Sequence, residues 1–583
     1  MTKMHPTGSL HTEATRPFDC IPLLSFVLLF SVALVPRVAG LLTFHNPDEA
    51  WGASVRVLTG DLSGGAGLNP PLVNYLNAAS FVVLYIVGRL TGIWHGVDDF
   101  RTQYFVDPAP FFFSGRLAAA CAGALAAPLA AAIAARFGLH RRSALVVGLL
   151  VALLPINILL SHFARPDVWA ATAVLFFCWA MLRALDQPET RSAFPLVGAA
   201  VAFALSIKQT NLFVVLPLLV GFAWLLRQRS GRAWSMILRG AGIAALTCVI
   251  VAIPLTVGIL QDIRGFIDYQ RVSVVLNRRE GSLETLLGSA LEFATANLGG
   301  LTAAGLIAYI LAPLSRRDPR LWLLGGAAAI GFGAFTLLSG SSIVPRYVHP
   351  YVLLGFTVAC VGALSWVERP GSVRWLGIAL TVGILGSVTL GSLTLLRQAI
   401  ATPIGARTAE ILRKHADPEK DKILANRTDR NFVGLPISAA AREEDAARHI
   451  RLSQKYGVSL NERPPEREAA LKGRASVGYH VRGIPFAMGG LQDIDQEAAE
   501  KAVKPYMWPI QISEWNLDYW TDQGFTLFVV ADEANWLKSD VKPYQQLHQQ
   551  IHDRCELLAD LPTIRTSWFF ETPVRIYRCP GAK

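Results

Sequence analysis

The sequence predicts a polytopic α-helical membrane protein with a C-terminal α/β soluble domain, and two observations support this fold class. Of the 583 residues, 52% are hydrophobic and 17% are charged, and the mean hydropathy is +0.38. Soluble proteins typically carry about 25% charged residues. Composition also changes sharply near residue 397, where charged segments replace long apolar runs. We therefore expect a cytoplasmic N-terminus (1–19), a transmembrane domain (20–396) and an exoplasmic domain (397–583).

The transmembrane domain is predicted from apolar runs, because a helix needs about 20 apolar residues to cross the hydrocarbon core. Eleven runs approach or exceed this length: 20–43, 111–135, 143–163, 167–184, 192–207, 211–227, 236–260, 287–313, 321–339, 348–366 and 373–396. The first run is interpreted as an uncleaved anchor, since Val-Ala-Gly ending at residue 40 is a poor cleavage site for a signal peptide. A twelfth run, 72–94, needs a separate explanation.

Orientation follows from the arginines, which gather in cytoplasmic loops of membrane proteins. Five arginine-bearing loops alternate with the eleven runs and place the N-terminus inside: Arg136, Arg141 and Arg142; Arg183 and Arg191; Arg227, Arg229 and Arg232; Arg316, Arg317 and Arg320; Arg369 and Arg374. The loop 44–110 and the tail are then exoplasmic. Acidic residues flank the run 72–94 on both sides, so we expect it to lie along the interface or to dip in and return.

This topology gathers polar side chains at the exoplasmic ends of several spans. They are Asp48 and Glu49, Arg165 and Asp167, Lys208, Arg271, and the group Arg346, Tyr347 and His349. Carboxylates can accept a proton from an attacking hydroxyl, and cationic side chains can hold a phosphate as it becomes a leaving group. An ionisable residue at the membrane boundary is often only an anchor. Their accumulation on one side nevertheless predicts a site.

The order of motifs resembles a known family. An apolar span is followed by Pro-Asp-Glu at 47–49, by NPPLVNYLNAASFVVLYIVG at 69–88, by Arg-Pro-Asp at 165–167 and by RYVHP at 346–350. This combination resembles the GT-C glycosyltransferases related to protein O-mannosyltransferases and lipid A aminoarabinose transferases. FFETPVRIYRCP at 569–580 resembles the ending of the bacterial members. The resemblance covers residues 20–366 and, weakly, the tail, and it implies a GT-C fold with about 11 to 13 spans.

The resemblance implies an enzyme that moves a sugar from a polyprenyl-phosphate carrier to a hydroxyl of a lipid, glycan or protein on the exoplasmic face. Asp48 would be the general base, Asp167 a second acid that orients the acceptor or shares the work of the base, and Glu49 a residue that supports or caps the juxtamembrane helix. The carrier phosphate would contact Lys208, Arg271, Tyr347, Arg346, His349 and Arg165. One departure is Asn69, since aminoarabinose transferases carry a lysine just before the Pro-Pro-Leu segment. The sugar and the acceptor are therefore not carried over.

The sequence also bears on other partners and on cofactors. Membrane lipids surround the spans, and the net charge of +11 is explained by cytoplasmic loops rather than by nucleic acid. No cofactor is expected, and no phosphate-binding glycine motif lies between a strand and a helix. A divalent cation between His45, Asp48, Asp167 and His349 is an alternative, although no metal-ligand motif fixes such a geometry.

Two other functions stay open at this stage. A transporter or flippase of a lipid-linked sugar would also be polytopic, but transporters often contain internal repeats, which this sequence lacks. A structural membrane subunit could keep the fold without the activity, although Asp48 and Asp167 are both present. The Ala-, Gly- and Arg-rich composition suggests a high-GC bacterium and hence the inner membrane.

The tail is expected to alternate strands and helices. Strand-like runs are 422–429, 525–533 and 574–579, and helical runs are 410–416 and 544–561. Cys555 and Cys579 are the only cysteines there. Outside the cytoplasm they are candidates for a disulfide, because oxidising compartments allow one to form.

Overall fold

The computed structural model describes residues 21–43, 49, 51–63, 69–230, 234–268, 270, 282–295, 303–338, 343–426, 433–444, 447, 478–483, 512–538, 542–565 and 571–580. The chain divides into two compact units. The first comprises Met1–Ala39, Ala50–Val82 and Ser114–Leu396, and the second comprises Gly40–Glu49, Val83–Phe113 and Arg397–Lys583. Asp48, Arg271 and His45 lie outside the described residues.

Helices account for most of the chain up to residue 400. They are α1 (Leu23–Val38), α2 (Trp51–Leu58), α3 (Leu72–Leu90), α4 (Val97–Val106), α5 (Ala109–Arg136), α6 (Arg141–Ala152), α7 (Pro155–Ser161), α8 (Pro166–Asp186), α9 (Ala193–Ile207), α10 (Leu212–Ser230), α11 (Trp234–Gln261), α12 (Leu283–Thr295), α13 (Ala303–Ser315), α14 (Pro319–Leu338), α15 (Pro345–Val367) and α16 (Val373–Ile400). A short 3₁₀ helix, Gln209–Asn211, precedes α10.

Eight of the described helices are long and apolar enough to cross a membrane, or nine spans if α6 and α7, bent by 55°, are one. Three shorter apolar helices are α1, α9 and α13. Each of the eleven predicted runs therefore contains at least one described helix. The run 72–94 contains one continuous helix, α3, which is one of these eight helices. That this run does not cross the membrane stays a prediction.

Three of the spans, α8, α14 and α15, begin with proline, and in α8 and α15 polar residues follow it directly. Helix α8 starts at Pro166 after Arg165 in extended conformation, and α15 starts at Pro345 after an extended Val344. Proline suits the first helical turn, where its missing N–H has no intrahelical partner to lose. Asp167 and Arg346 consequently lie in the first turns of their helices. Helix α15 packs against α13, α14, α8 and α6 at the centre of the first unit.

Helix α11 carries a kink that another part of the first unit stabilises. Thr256 has non-helical angles (φ −128°, ψ 15°) two residues after Pro254. The amide of Gly258 donates to the Tyr75 hydroxyl at 2.9 Å, and that hydroxyl donates to the carbonyl of Leu62 at 3.0 Å. A Cβ on Gly258 would lie 1.9 Å from the Leu62 oxygen, so only glycine allows this approach.

The described part of the tail contains a mixed five-stranded sheet. Its strands are β1 (Lys422–Ala425), β2 (His480–Gly483), β3 (Phe525–Ala531), β4 (Glu556–Leu561) and β5 (Val574–Arg578), in the order β2-β1-β3-β5-β4. β1 pairs in parallel with β2 and β3, whereas β5 pairs antiparallel with β3 and β4. The helices of the tail are α17 (Ile404–His415), α18 (Leu517–Asp522), α19 (Glu533–Trp536) and α20 (Lys542–Arg554), with a 3₁₀ helix at Ile512–Trp515.

Both faces of this sheet are covered, as the alternation along β3 shows. Leu527 and Val529 pack on one side with Leu412 of α17. Phe528 on the other side packs with Trp520 of α18 and with α20. Successive strand residues point to opposite faces, so a continuous apolar strand indicates a sheet buried on both sides. Each of the three predicted strand runs begins with a strand, at 422–425, 525–531 and 574–578, and the helix predicted over 410–416 lies in α17 up to His415.

In the tail, the predicted C-terminal end of one helix is wrong, and the predicted disulfide is confirmed. The helix expected over 544–561 ends at Arg554, and residues 556–561 form β4. Pairing with β5 decides this, because a partner strand distant in sequence overrides local helix preference. Cys555 and Cys579 form the predicted disulfide, with their Cα atoms 4.3 Å apart. The bond joins the turn before β4 to the end of β5.

Candidate active site

A buried ion pair lies at the start of α8. The Nζ atom of Lys208 is 2.6 Å from Oδ1 of Asp167, and each side chain is 4% exposed. Lys208 follows the last residue of α9, and its backbone is extended there. Its ammonium group also donates to the carbonyl of Arg346 at 3.3 Å. Asp167, Lys208 and Arg346 therefore meet from three separate elements of the first unit.

Aromatic and cationic groups surround this pair. Two cations lie close to the Tyr347 ring: Lys208 Nζ is 5.0 Å and Arg346 Cζ is 4.9 Å from its centroid. Arg346 also donates to the Tyr347 hydroxyl at 3.2 Å. The Nε atom of Arg165 is 3.7 Å from Oδ2 of Asp167. Three cationic side chains thus act electrostatically on a single carboxylate.

His349 joins the cluster through the backbone. Its Nδ1 atom is 3.4 Å from the carbonyl oxygen of Asp167, and the side chain is fully buried. Within the described residues, its Nε2 atom and Oδ2 of Asp167 have no hydrogen-bond partner. Buried polar atoms are nearly always hydrogen-bonded in folded proteins. Unmet hydrogen-bonding capacity at adjacent buried groups is therefore typical of a place that receives a polar ligand.

The turn after Lys208 contributes residues that sequence reasoning did not select. The Gln209 side chain donates to Oε1 of Gln270 at 3.0 Å, and the Tyr351 hydroxyl donates to the carbonyl of Thr210 at 2.9 Å. Gln270 is the residue before Arg271. The polar run Gln-Thr-Asn after Lys208, inside an otherwise apolar region, was the signal available in the sequence.

The predicted site residues thus fall into two groups. The structure brings together six of them: Asp167, Arg165, Lys208, Arg346, Tyr347 and His349. Asp48 and Arg271 lie outside the described residues, and Glu49 is buried within the second unit. The catalytic and phosphate-binding roles stay predictions for all of them.

A metal centre has no counterpart in the part of the chain that the structure describes. There, no group of three or more histidine, cysteine, aspartate or glutamate side chains is arranged to hold an ion. Two of the four candidate ligands, His45 and Asp48, fall outside that part. Independence from a divalent cation therefore stays a prediction.

Comparison with known proteins gives one family and several similar folds. The model of the family described as "Dolichyl-phosphate-mannose-protein mannosyltransferase" matches residues 82–270. No curated protein sequence matches the chain. The crystal structure of apo ArnT from Cupriavidus metallidurans is 15% identical, covers 95% of this chain and 97% of its own, and has a TM-score of 0.49. The structure of ArnT bound to undecaprenyl phosphate gives 15% identity, the same coverage and a TM-score of 0.48.

A third structure is more distant. The archaeal oligosaccharyltransferase AglB from Archaeoglobus fulgidus, in complex with an inhibitory peptide and a dolichol-phosphate, is 12% identical. The match covers 90% of this chain and 70% of that chain, with a TM-score of 0.43. The matched segment 82–270 contains Arg165, Asp167 and Lys208. The resemblance of this multi-pass membrane protein to the protein mannosyltransferase group is thus confirmed by the family model over residues 82–270.

Proposed function

We propose that the protein is a membrane glycosyltransferase that moves a sugar from a polyprenyl-phosphate carrier to an acceptor hydroxyl on the exoplasmic face of a bacterial inner membrane. The observation that carries the proposal is the buried cluster around Asp167 and Lys208, within the segment that matches the mannosyltransferase model. The sugar belongs to the hexose or pentose class, and the acceptor is a lipid, a glycan or a protein.

The cluster suits the phosphate of a lipid carrier. Lys208, Arg165 and Arg346 converge on one carboxylate at the ends of apolar helices, where charge interactions are screened less than in water. Arginine and lysine are the usual protein ligands of phosphate oxygens. Tyr347 holds Lys208 and Arg346 on its ring and keeps both cations in place. An arriving phosphate would accept hydrogen bonds from these groups.

The proposed reaction needs a base as well as a phosphate site. Asp48 takes the proton of the acceptor hydroxyl, whose oxygen forms the new bond to the anomeric carbon. The bond from that carbon to the carrier phosphate oxygen breaks, and the phosphate leaves with the electron pair. Lys208, Arg271 and the neighbouring cations stabilise the negative charge that grows on it. Asp167, held by Lys208 at 2.6 Å, orients the acceptor.

The orientation is part of the proposal. We propose eleven spans: the seven long apolar helices other than α3, the bent pair α6 and α7, and the shorter α1, α9 and α13. The disulfide Cys555–Cys579 supports an exoplasmic tail, because disulfides persist in oxidising compartments. A reporter that is active only outside the cytoplasm, fused to Lys583, tests this orientation directly.

Donor binding is the most direct test of the site. Undecaprenyl phosphate, without a sugar, is titrated into the purified full-length protein in detergent. Lys208→Met should weaken binding by about 10- to 150-fold, since a charge-assisted hydrogen bond contributes roughly 1.5 to 3 kcal/mol. Lys414→Met is the matched control, because Lys414 is an exposed lysine paired with Glu410 at 2.9 Å. It should bind like the wild type.

The result of this titration and an assay of sugar transfer distinguish a glycosyltransferase from a flippase. Equal affinity of wild type and Lys208→Met would reject the phosphate site. Comparing the glycans and lipids of cell envelopes with and without the protein then tests the transfer itself. Movement of a lipid-linked sugar across vesicles without formation of a new glycosidic bond would instead identify a flippase.

A further inference from the structure

An apolar pocket lies between α9, α10 and α11, all three within the first unit, and its volume is about 360 Å³. Small residues leave this space open: Gly198 of α9, Ala223 of α10, and Ala241, Ala244 and Ala245 of α11 all line it. Helices α9 and α11 are in close contact at one point, because a Cβ on Gly198 would lie 2.1 Å from the carbonyl oxygen of Ala244. The pocket is therefore formed by packed helices and not by a loop.

The lining of this pocket selects an apolar occupant. Every lining residue is apolar apart from the thiol of Cys248. Cavities of this kind stay dry and admit apolar molecules, since a water molecule needs two to four polar partners. Ala241 and Ala245 are exposed, and so are Leu238 and Leu246 beside them on α11. The pocket thus opens toward an apolar surface from which a lipid chain can enter.

One end of the pocket carries a cation on an aromatic ring. Leu226 is the last lining residue of α10, and Ile237 is the first lining residue of α11. Beyond them the guanidinium of Arg227 lies over the Trp234 ring, with Cζ 4.5 Å from the centroid. Residues three or four apart share a helix face, so Arg227 lies on the face of Ala223, and Trp234 on the face of Ile237. The pair therefore joins α10 and α11 at this end.

Arg227 can donate to an anionic group at this end of the pocket. Arg227 and Trp234 are both exposed. Among the residues that the structure describes, no carboxylate pairs with Arg227. A guanidinium stacked on a ring keeps its in-plane N–H donors free, and these donors match two oxygens of a phosphate. Tryptophan is also enriched where a membrane protein meets lipid headgroups.

We infer that the pocket binds a phospholipid with an anionic headgroup, whose acyl chain lies between α9, α10 and α11 and whose phosphate contacts Arg227. The sugar carrier is a different ligand, because its phosphate is proposed at Lys208, before the start of α10. Helix α10 rises about 22 Å between Leu212 and Arg227. The two phosphate positions are thus on opposite sides of the membrane in the predicted topology. The inference does not depend on sugar transfer.

Native mass spectrometry of retained lipid tests the headgroup contact. The purified full-length protein in detergent is titrated with dioleoyl phosphatidylglycerol or dioleoyl phosphatidylcholine, which have the same chains and differ in net charge. The wild type should bind phosphatidylglycerol about 5-fold more tightly, as one arginine near anionic headgroups contributes roughly this factor. Arg227→Gln should lose the preference. Arg374→Gln is the matched control and should keep it, because Arg374 is an exposed arginine in the first turn of α16, which does not line the pocket.

A second pair of variants tests the position of the acyl chain. Ala245→Phe places a ring in the pocket and should abolish retention of the first phospholipid. Leu246→Phe is its control, because Leu246 is the next residue of α11, is 62% exposed and does not line the pocket. Cys248 supplies an independent readout. Phosphatidylglycerol should slow its labelling by N-ethylmaleimide in the wild type and in Leu246→Phe, as measured on the peptide that contains Cys248.

Three outcomes would overturn the inference. Equal retention of the two phospholipids by the wild type would reject the contact with Arg227. Labelling of Cys248 that phosphatidylglycerol does not slow would reject the position of the chain. Displacement of phosphatidylglycerol by equimolar undecaprenyl phosphate, with Cys248 still protected, would assign the pocket to the sugar carrier instead. If Ala245→Phe does not fold, Arg227→Gln and the labelling of Cys248 decide.

Discussion

The buried pair Asp167–Lys208 yields a stability prediction whose two single variants differ in size. Asp167→Asn leaves the Lys208 ammonium without its carboxylate and close to two further cations. Lys208→Met leaves Asp167 with Arg165 at 3.7 Å. Removing one partner of a buried ion pair lowers the free energy of unfolding by about 3 to 5 kcal/mol. We expect a loss of this size for Asp167→Asn, because the pair has a contact of 2.6 Å and both side chains are nearly inaccessible. We expect about 2 to 3 kcal/mol for Lys208→Met, because Arg165 compensates part of the loss.

The double variant separates the pair from its surroundings. Once both charges are gone, neither is left uncompensated. The double variant should therefore lose about 1 to 3 kcal/mol less free energy of unfolding than the sum of the losses in the two single variants. Unfolding of the purified protein in mixed micelles with increasing SDS, followed by tryptophan fluorescence, measures all four proteins. Glu410 and Lys414 provide the control cycle, since their pair has a similar distance of 2.9 Å but lies on an exposed helix face. That cycle should show no measurable coupling. Additive losses at positions 167 and 208 would refute the reasoning.

Three further predictions concern chemistry and the tail. Asp48→Asn should lower sugar transfer by about 10²-fold with undecaprenyl phosphate binding unchanged, and Glu49→Gln should lower it less; transfer assays on both decide. Reduction of Cys555–Cys579 should destabilise the tail by about 3 to 4 kcal/mol, as the bond closes a loop with a sequence separation of 24; thiol labelling and unfolding with and without reductant measure this. Burial lowers the pKa of His480, so its contribution to stability is present at neutral pH and lost as pH falls below about 6.5; His480→Gln should flatten that dependence in thermal unfolding between pH 5 and 8.

The parts of the fold that sequence predicts well are those with a local signal. Apolar length located the helices, and proline in the first turn of α8 and of α15 places Asp167 and Arg346 at helix starts. The strand over 525–531 was recognisable from its continuous apolar run. In contrast, residues 556–561 have helix-forming composition and become a strand only through pairing with β5.

In the candidate site, too, some features have a local signal in the sequence and others depend on contacts between distant residues. The predicted topology places Asp167 and Lys208 on the same side of the membrane, but their contact joins residues 41 positions apart and depends on how α8 packs against α9. Lys208 was selected for a phosphate, whereas the structure shows it bonded to a carboxylate.

The bridge from Tyr75 to Gly258 and Leu62 has a consequence for the order of events during synthesis. Tyr75 and Gly258 are separated by 183 positions, and translation adds about 5 to 20 residues per second, so roughly 10 to 40 s pass between their appearance. During that interval the Tyr75 hydroxyl can donate to the Leu62 carbonyl, but it lacks the Gly258 amide that donates to it in the complete fold. The three-residue bridge is therefore completed only after α11 has been synthesised, and a chain truncated before residue 258 cannot form it.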